Sequence, residues 1–239
     1  MSPFAISNDQ LDRFRVDGYF IAHQLFDAEE IDLLGRIARA DHQISRQAAS
    51  RRDGQGGAIR LLVENELNDD IYAAFVRCRR IVDTMERLLE GEVYHYHHKM
   101  ILKEPVTGGA WEWHQDYGYW YNNGCLQVLK GSHHLGRIDH VKIGDQTGAD
   151  PERVAVAKER LELVNCELEP GSAIFFHSNL LHSSAANASA NPRWAFICCY
   201  NAARNDPYKE SRHPRYSRLE KWPDTKIKEI GRSVVSSEL

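Results

Sequence analysis

Two short segments of this sequence hold the residue types that metal chemistry needs. In Trp113-His114-Gln115-Asp116 a histidine and a carboxylate stand two positions apart. On a strand that spacing puts both side chains on one face, because successive residues alternate sides. A third ligand from another strand would complete one face of an octahedron, the arrangement of non-haem Fe(II) oxygenases. Alone, His-x-Asp is a weak signal, since ordinary hydrogen-bonded pairs also produce it. The second segment, Phe175-Phe176-His177-Ser178-Asn179-Leu180-Leu181-His182-Ser183-Ser184, offers His182 and His177 as third ligands. Eleven residues beyond His182 stands Arg193, followed by the apolar run Trp194-Ala195-Phe196-Ile197. An arginine directed into a core requires an anion, and its planar fork suits a carboxylate held at two points. A protein carboxylate would serve. So would a dicarboxylate cosubstrate that chelates the metal at its other end.

The remaining chemistry-bearing residues have plainer readings. Among the twelve histidines, His95 to His98 read as packed or surface imidazoles on a strand, and His133, His134 and His140 as loop residues. The aromatics Trp111, Trp113, Tyr117, Tyr119, Trp120 and Tyr121 alternate as core residues do. Tyr117 to Tyr121 follows the His-x-Asp pair directly and is the candidate substrate-facing wall. The Arg212 to Arg218 stretch reads as a solvated loop. Cys78, Cys125, Cys166, Cys198 and Cys199 are odd in number and contain no Cys-x-x-Cys. That pattern fits reduced, packed thiols and neither a zinc cluster nor a disulfide framework.

The elements that must position these residues follow from local patterns. Ser7-Asn8-Asp9-Gln10 has capping-box form and opens a helix over Asp9 to Val16, stopped by Asp17-Gly18. Tyr19 to Ala22 reads as a strand, and Asp27 caps a second helix in which Ile31, Leu34 and Ile37 recur at helical spacing. Arg46 to Gly57 is polar and reads as a surface loop, and a third helix is expected over Asp69 to Leu89. Beyond Gly91 the period becomes alternating. Strands are expected at Val93 to Lys103, Trp111 to Tyr117, Leu126 to Leu129, Leu161 to Leu168, Ser172 to His177 and Arg193 to Tyr200. Asn205 to Leu239, rich in Pro, Arg and Tyr, reads as an irregular closing segment. The organisation is one domain: helices over 1–91, a β-rich core over 92–204, and the segment 205–239.

Composition narrows the partners. The chain has 239 residues, 42% hydrophobic and 27% charged, with a formal net charge of −4. Disordered and collagen-like chains are excluded, and no basic excess favours nucleic acid or an acidic membrane. No apolar run approaches the ~18 residues of a membrane span. Met1 to Ser7 lacks the pattern of a signal peptide, and Ser-Glu-Leu at the end departs from the peroxisomal Ser-Lys-Leu. A cytoplasmic protein is expected, a monomer or weak homo-oligomer acting on a small molecule, without nucleic acid or membrane.

Four motifs in order carry a resemblance. Trp-His-Gln-Asp (113–116), Asn-Gly-Cys-Leu-x-Val-Leu-x-Gly-Ser-His (123–133), Pro-Gly-Ser-x-x-Phe-Phe-His (170–177) and His-Ser-Ser-x-x-Asn…Arg (182–193) resemble the phytanoyl-CoA dioxygenase family. The similarity runs from the first helix to about Asn201. It implies a mainly β fold with N-terminal helices, a double-stranded β-helix or cupin-like jelly roll. It further implies an Fe(II)- and 2-oxoglutarate-dependent dioxygenase that uses O2 to hydroxylate a small organic molecule, releasing succinate and CO2. By position, His114, Asp116 and His182 would bind iron and be catalytic. Arg193 would bind the distal carboxylate of 2-oxoglutarate, with Ser184 supporting it and Lys99 and His97 as weaker cosubstrate contacts. With Asp116 present no coordination site is left for a halide, which argues against the halogenating branch.

One departure is large. Relatives hold a core strand between the His-x-Asp and Asn-Gly-Cys-Leu motifs, on the order of twenty residues more than here. The expected jelly roll therefore lacks one core strand between Asp116 and Asn123. The alternative function is a non-catalytic or impaired family member with a binding or structural role.

Overall fold

The computed structural model describes residues 4–53, 57–106, 108–116, 126–208 and 214–238. Helix α1 (Asn8–Asp17) begins with the reciprocal Ser7–Gln10 cap and ends at Gly18, whose φ of 86° is left-handed. A side chain at Gly18 would run into the His133 ring and Leu180, so this turn requires glycine on two counts. Strand β1 (Tyr19–Ala22) follows, then α2 (Ala28–Ala40), which carries a second capping box from Asp27 and Glu30.

The polar stretch expected to be a loop is structured. Its described part opens on the last two residues of the short helix α3 (His42–Gln47) and continues as strand β2 (Ala49–Arg52), which pairs with β3 (Ala58–Glu64). All four β2 residues are exposed, as suits an edge strand, so its sequence lacks the alternation that announces a half-buried one. The third helix is two helices, α4 (Ile71–Arg77) and α5 (Arg79–Leu88). Between them Cys78 is extended (φ −62°, ψ 140°) and bridged to Trp222, a break no local breaker residue signals.

The β-rich body contains β4 (Val93–Lys103), β5 (Trp111–His114), β6 (Leu126–Leu129), β7 (His140–Ile143), β8 (Gln146–Ala149), β9 (Leu163–Cys166), β10 (Ala173–Phe176), β11 (His182–Ser184) and β12 (Arg193–Ala202). Helix α6 (Pro151–Arg160) precedes β9. One antiparallel sheet runs β12-β4-β3-β2 and another β5-β11-β6-β9, with β1-β10 and the β7-β8 hairpin as two-stranded pairs. Ile59, Leu61, Ile101 and Ile197 of the first sheet pack with Trp111 of the second and Phe176 of β10, an apolar layer between the sheets. On the outer face, Met100, Leu102, Trp194 and Phe196 pack against the helices.

The C-terminal segment is not irregular throughout. Lys226–Glu238 forms α7, with Ile227 buried and Gly231 against Leu33 of α2. The Pro-, Arg- and Tyr-rich composition belongs to the residues before it, and its apolar stripe becomes visible only against α2 and α4. Among the described residues β12 pairs with β4 alone and β10 with β1 alone. The connection expected to lack a strand, the aromatic wall Tyr117 to Tyr121, Cys125 and Arg212 lie outside the described residues. No helix among the described residues is long and apolar enough to cross a membrane.

Candidate metal centre

Strand pairing sets the centre. β11 lies antiparallel to β5 in the register that places His182 directly opposite His114, with ring centroids 4.1 Å apart. Asp116 follows two residues on, anchored by its backbone N–H to the Ser178 carbonyl (2.8 Å). One candidate ligand atom from each of His114, Asp116 and His182 lies within 4.8 Å of the others. The structure brings these three together. His177 sits elsewhere: its Nδ1 accepts from the Asn179 N–H and its ring lies 5.3 Å from that of His133.

Each histidine is held in one tautomer. The Nδ1–H of His114 donates to the Glu112 carbonyl (2.9 Å) and that of His182 to the Leu180 carbonyl (2.8 Å), leaving Nε2 as the lone-pair atom in both. Burial pushes both imidazoles below their ordinary pKa and so keeps them neutral, the form that ligates. Burial also raises the Asp116 carboxyl, opposed by the charges of Lys99 and His182. Two neutral, buried imidazoles and one half-buried carboxylate, the rings preset in orientation, fit a divalent metal with open positions.

Gln115, between two ligands, is a supporting residue the sequence did not single out. Its Nε2 donates to the carbonyls of Gly136 (2.8 Å) and Asn179 (2.7 Å), and its Oε1 accepts from the Ile138 N–H (2.8 Å). It therefore ties the loops before β7 and β11 to the back of the centre. His140 joins it, Nε2 accepting from the Gln115 N–H (3.1 Å), which gives that histidine a supporting place.

A cluster of two basic side chains and a serine lies two residues further along β11. Ser184 shares the inner face with His182, about 6.6 Å away along the strand. Lys103, fully buried, donates from Nζ to the Ala185 carbonyl (2.8 Å) and lies 3.5 Å from Ser184 Oγ. Arg193 stands directly opposite Lys103 across β12 and β4. Burial, and then the Arg193 charge, push the Lys103 ammonium down to about 6. Lys103 was missed at the sequence level. Its only signal is its place on the same alternating face of β4 as His97 and Lys99. Those two are also buried, and burial pushes Lys99 down to about 8.

Two histidines on paired strands and an aspartate just past the end of one, in a double-sheet, cupin-like fold, define a class, the mononuclear non-haem metal site of jelly-roll oxygenases. The particular family follows. The chain belongs to the phytanoyl-CoA dioxygenase (PhyH) family, whose model matches residues 14–122 and 121–195. It is 29% identical to an L-proline trans-4-hydroxylase of Streptomyces griseoviridis over 84% of this chain and 89% of the relative. It is 26% identical to an ectoine dioxygenase of Bordetella bronchiseptica over 88% of this chain and 81% of that one. In fold it is similar to the crystal structure of EctD from S. alaskensis with 2-oxoglutarate and 5-hydroxyectoine. That match has a TM-score of 0.72 at 24% identity, covering 92% of this chain and 89% of the other.

Proposed function

We propose that this chain is an Fe(II)- and 2-oxoglutarate-dependent dioxygenase that hydroxylates a small organic molecule, releasing succinate and CO2. The observation that carries this reading is the convergence of His114, Asp116 and His182, with Ser184, Lys103 and Arg193 set one step along the same interior. Iron bound by the triad would supply the oxygen chemistry, and the chain's own residues position and shield it. The Glu112 and Leu180 carbonyls aim the two rings. Arg193, Ser184 and Lys103 receive the distal carboxylate, the guanidinium by its two-point fork and the others as single donors. Trp111 beside His114 (ring centroids 6.2 Å) and Phe176 beside His182 (4.9 Å) keep water from the reacting face. The enzyme works in the cytoplasm, as a monomer or weak homo-oligomer, without nucleic acid or membrane.

L-proline and ectoine, the small molecules named for the relatives, are the first candidate substrates. The test is succinate release from 2-oxoglutarate with Fe(II), in air and under anaerobic conditions, with each compound added. Oxygen-dependent release, raised by a substrate, is expected. Equal, near-zero release in both atmospheres counts against turnover. It would favour the second reading, an impaired member lacking a core strand, if iron and 2-oxoglutarate still bind. The observation behind that reading is topological. β5 and β6 both run antiparallel to β11 and so parallel to each other, and the eleven residues 115–125 that join them fall at the short limit of such a crossover. Parallel strands generally need a crossover of roughly a dozen residues or more.

A further inference from the structure

We propose that Gln146 is a positioning residue for the metal centre: its side-chain amide holds the bulged backbone of β5 whose carbonyl aims His114. The proposal rests on the reading of His114, Asp116 and His182 as metal ligands and adds the device that sets the first of them.

β5 is not a regular strand. Trp111 lies opposite Ser184 and His114 opposite His182, so three steps along β5 answer two along β11. The extra residue makes a β-bulge over Glu112 and Trp113, a distortion that re-aims neighbouring side chains. Its effect shows on both faces. A spacing of three puts residues of a regular strand on opposite faces. Here Trp111 packs into the layer between the sheets, and the His114 ring lies 4.1 Å from that of His182. Glu112 and Trp113, adjacent in sequence, border one recess beside Val154 and Lys158 of α6. The Nδ1–H of His114 then donates to the carbonyl of the bulge residue Glu112 (2.9 Å).

β5 is also the end strand of its sheet, and among the described residues no strand pairs with its outer edge. Side chains take that place. Gln146 of β8 accepts from the Glu112 N–H (3.0 Å) and donates to the Ala110 carbonyl (3.0 Å). One residue of a parallel neighbour would make the same two bonds, so a single amide stands in for a peptide group. Asp53 accepts from the Ala110 N–H (2.7 Å) before the bulge, and His140 from the Gln115 N–H (3.1 Å) beyond it. Of these three, Gln146 is the one that bonds to the bulge itself. It is 2% exposed, so water is a poor substitute for its two bonds. β8 comes this close because residue 148 is glycine. A Cβ there would lie 3.1 Å from the Trp113 carbonyl oxygen and 3.2 Å from Glu112 Cβ.

The test reads the apoprotein first, by nuclear magnetic resonance of isotope-labelled histidine. The parent should show a neutral His114 ring with its proton on Nδ1, identified as the signal lost in His114→Ala. In Gln146→Leu, well below its melting temperature, that signal should give way to a mixture of the two tautomers. Co(II), added as the probe metal, should bind that variant roughly ten-fold or more weakly, with altered visible absorption. Gln146→Glu keeps an acceptor for the Glu112 N–H and should recover part of both. Ile227→Ala, a cavity in the helical layer, should lower the melting temperature and move neither readout. If Gln146→Leu does not fold, Gly148→Ala, which presses on the bulge with Gln146 in place, decides by the same two readouts. The parent's tautomer and a Co(II) affinity within about two-fold of the parent's in the folded variant overturn the proposal. So does an equal change in Ile227→Ala, which would make the effect one of stability alone. If the parent binds no Co(II), the metal reading fails, and the tautomer signal still decides the role of Gln146.

Discussion

In the proposed function His182 holds the metal and Arg193 the cosubstrate anion, and replacing each should separate the two roles. His182→Ala removes a ligand whose ring lies 4.1 Å from that of His114, so metal content after desalting should fall to background. His177→Ala should keep its metal, because that side chain accepts from Asn179 and packs at a tilt beside His133 instead. Arg193→Ala should retain iron and lose cosubstrate. Removing one partner of a desolvated charged pair costs about 2–5 kcal/mol. That is roughly a thirty-fold or greater rise in the 2-oxoglutarate dissociation constant, measured by titration. Arg193→Lys should also be impaired, since a point charge does not reproduce the fork. Unchanged 2-oxoglutarate affinity in Arg193→Ala would remove the cosubstrate from this end of the site.

At the scale of the element, β4 carries the site on one face and a titrating pair on the other. His98 Nδ1 and His95 Nε2 are 3.2 Å apart, with both rings buried behind the sheet, near Tyr72 and Phe196. Burial pushes His95 down to about 3 and His98 down to about 4. Both folded values lie below the unfolded value near 6.5. Below pH 6.5 the unfolded chain therefore binds protons that the folded chain refuses, and stability falls as pH falls toward 4. By pH 5 the loss is about 2 kcal/mol for each histidine. Urea unfolding at pH 7.5 and pH 5 should show this loss in the parent. The same comparison should show a smaller one in His98→Phe. An equal acid loss in both proteins would place the acid sensitivity elsewhere.

Across the whole molecule, the helical layer is fastened by one buried ionic knot. Arg80 of α5 makes two bonds to Glu30 of α2 (2.6 and 3.0 Å), a third to the Leu25 carbonyl (2.7 Å), and an ion pair with Asp224 ahead of α7 (3.3 Å). Its guanidinium also lies over the Phe26 ring at 4.8 Å. Three segments distant in sequence meet at this one side chain. Glu30→Ala would leave a buried cation short of its main partner, a loss of about 3–5 kcal/mol in unfolding free energy. Denaturant unfolding reads it directly, and a change below 1 kcal/mol would show that the knot is not a principal fastening. Glu30 also closes the α2 capping box, so Glu30→Gln separates the two roles by keeping a cap acceptor and removing the charge.

What the amino-acid sequence determined by itself is what local physics writes into short windows. The capping boxes of α1 and α2, the alternation of β4 and the two-residue spacing of His114 and Asp116 all depend on residues within a few positions of one another. So does the placement of Arg193 at the head of an apolar strand. The strand expected to carry both His114 and Asp116, however, ends at His114 and leaves Asp116 in the turn beyond it. The rest is non-local. His182 and His177 are near neighbours with similar flanks, and only the register of β11 on β5 brings one of them opposite His114. Lys103 comes to lie beside Ser184 and opposite Arg193 because β12 pairs with β4 and β11 lies across from them, two contacts of long sequence separation. β2 and α7 were missed for the same reason. An exposed edge strand has no buried face to pattern it, and a closing helix shows its apolar side only against α2 and α4. Period and capping are properties of a segment. Pairing, burial and the meeting of charges are properties of the folded chain, and those decided which of the legible residues form the site.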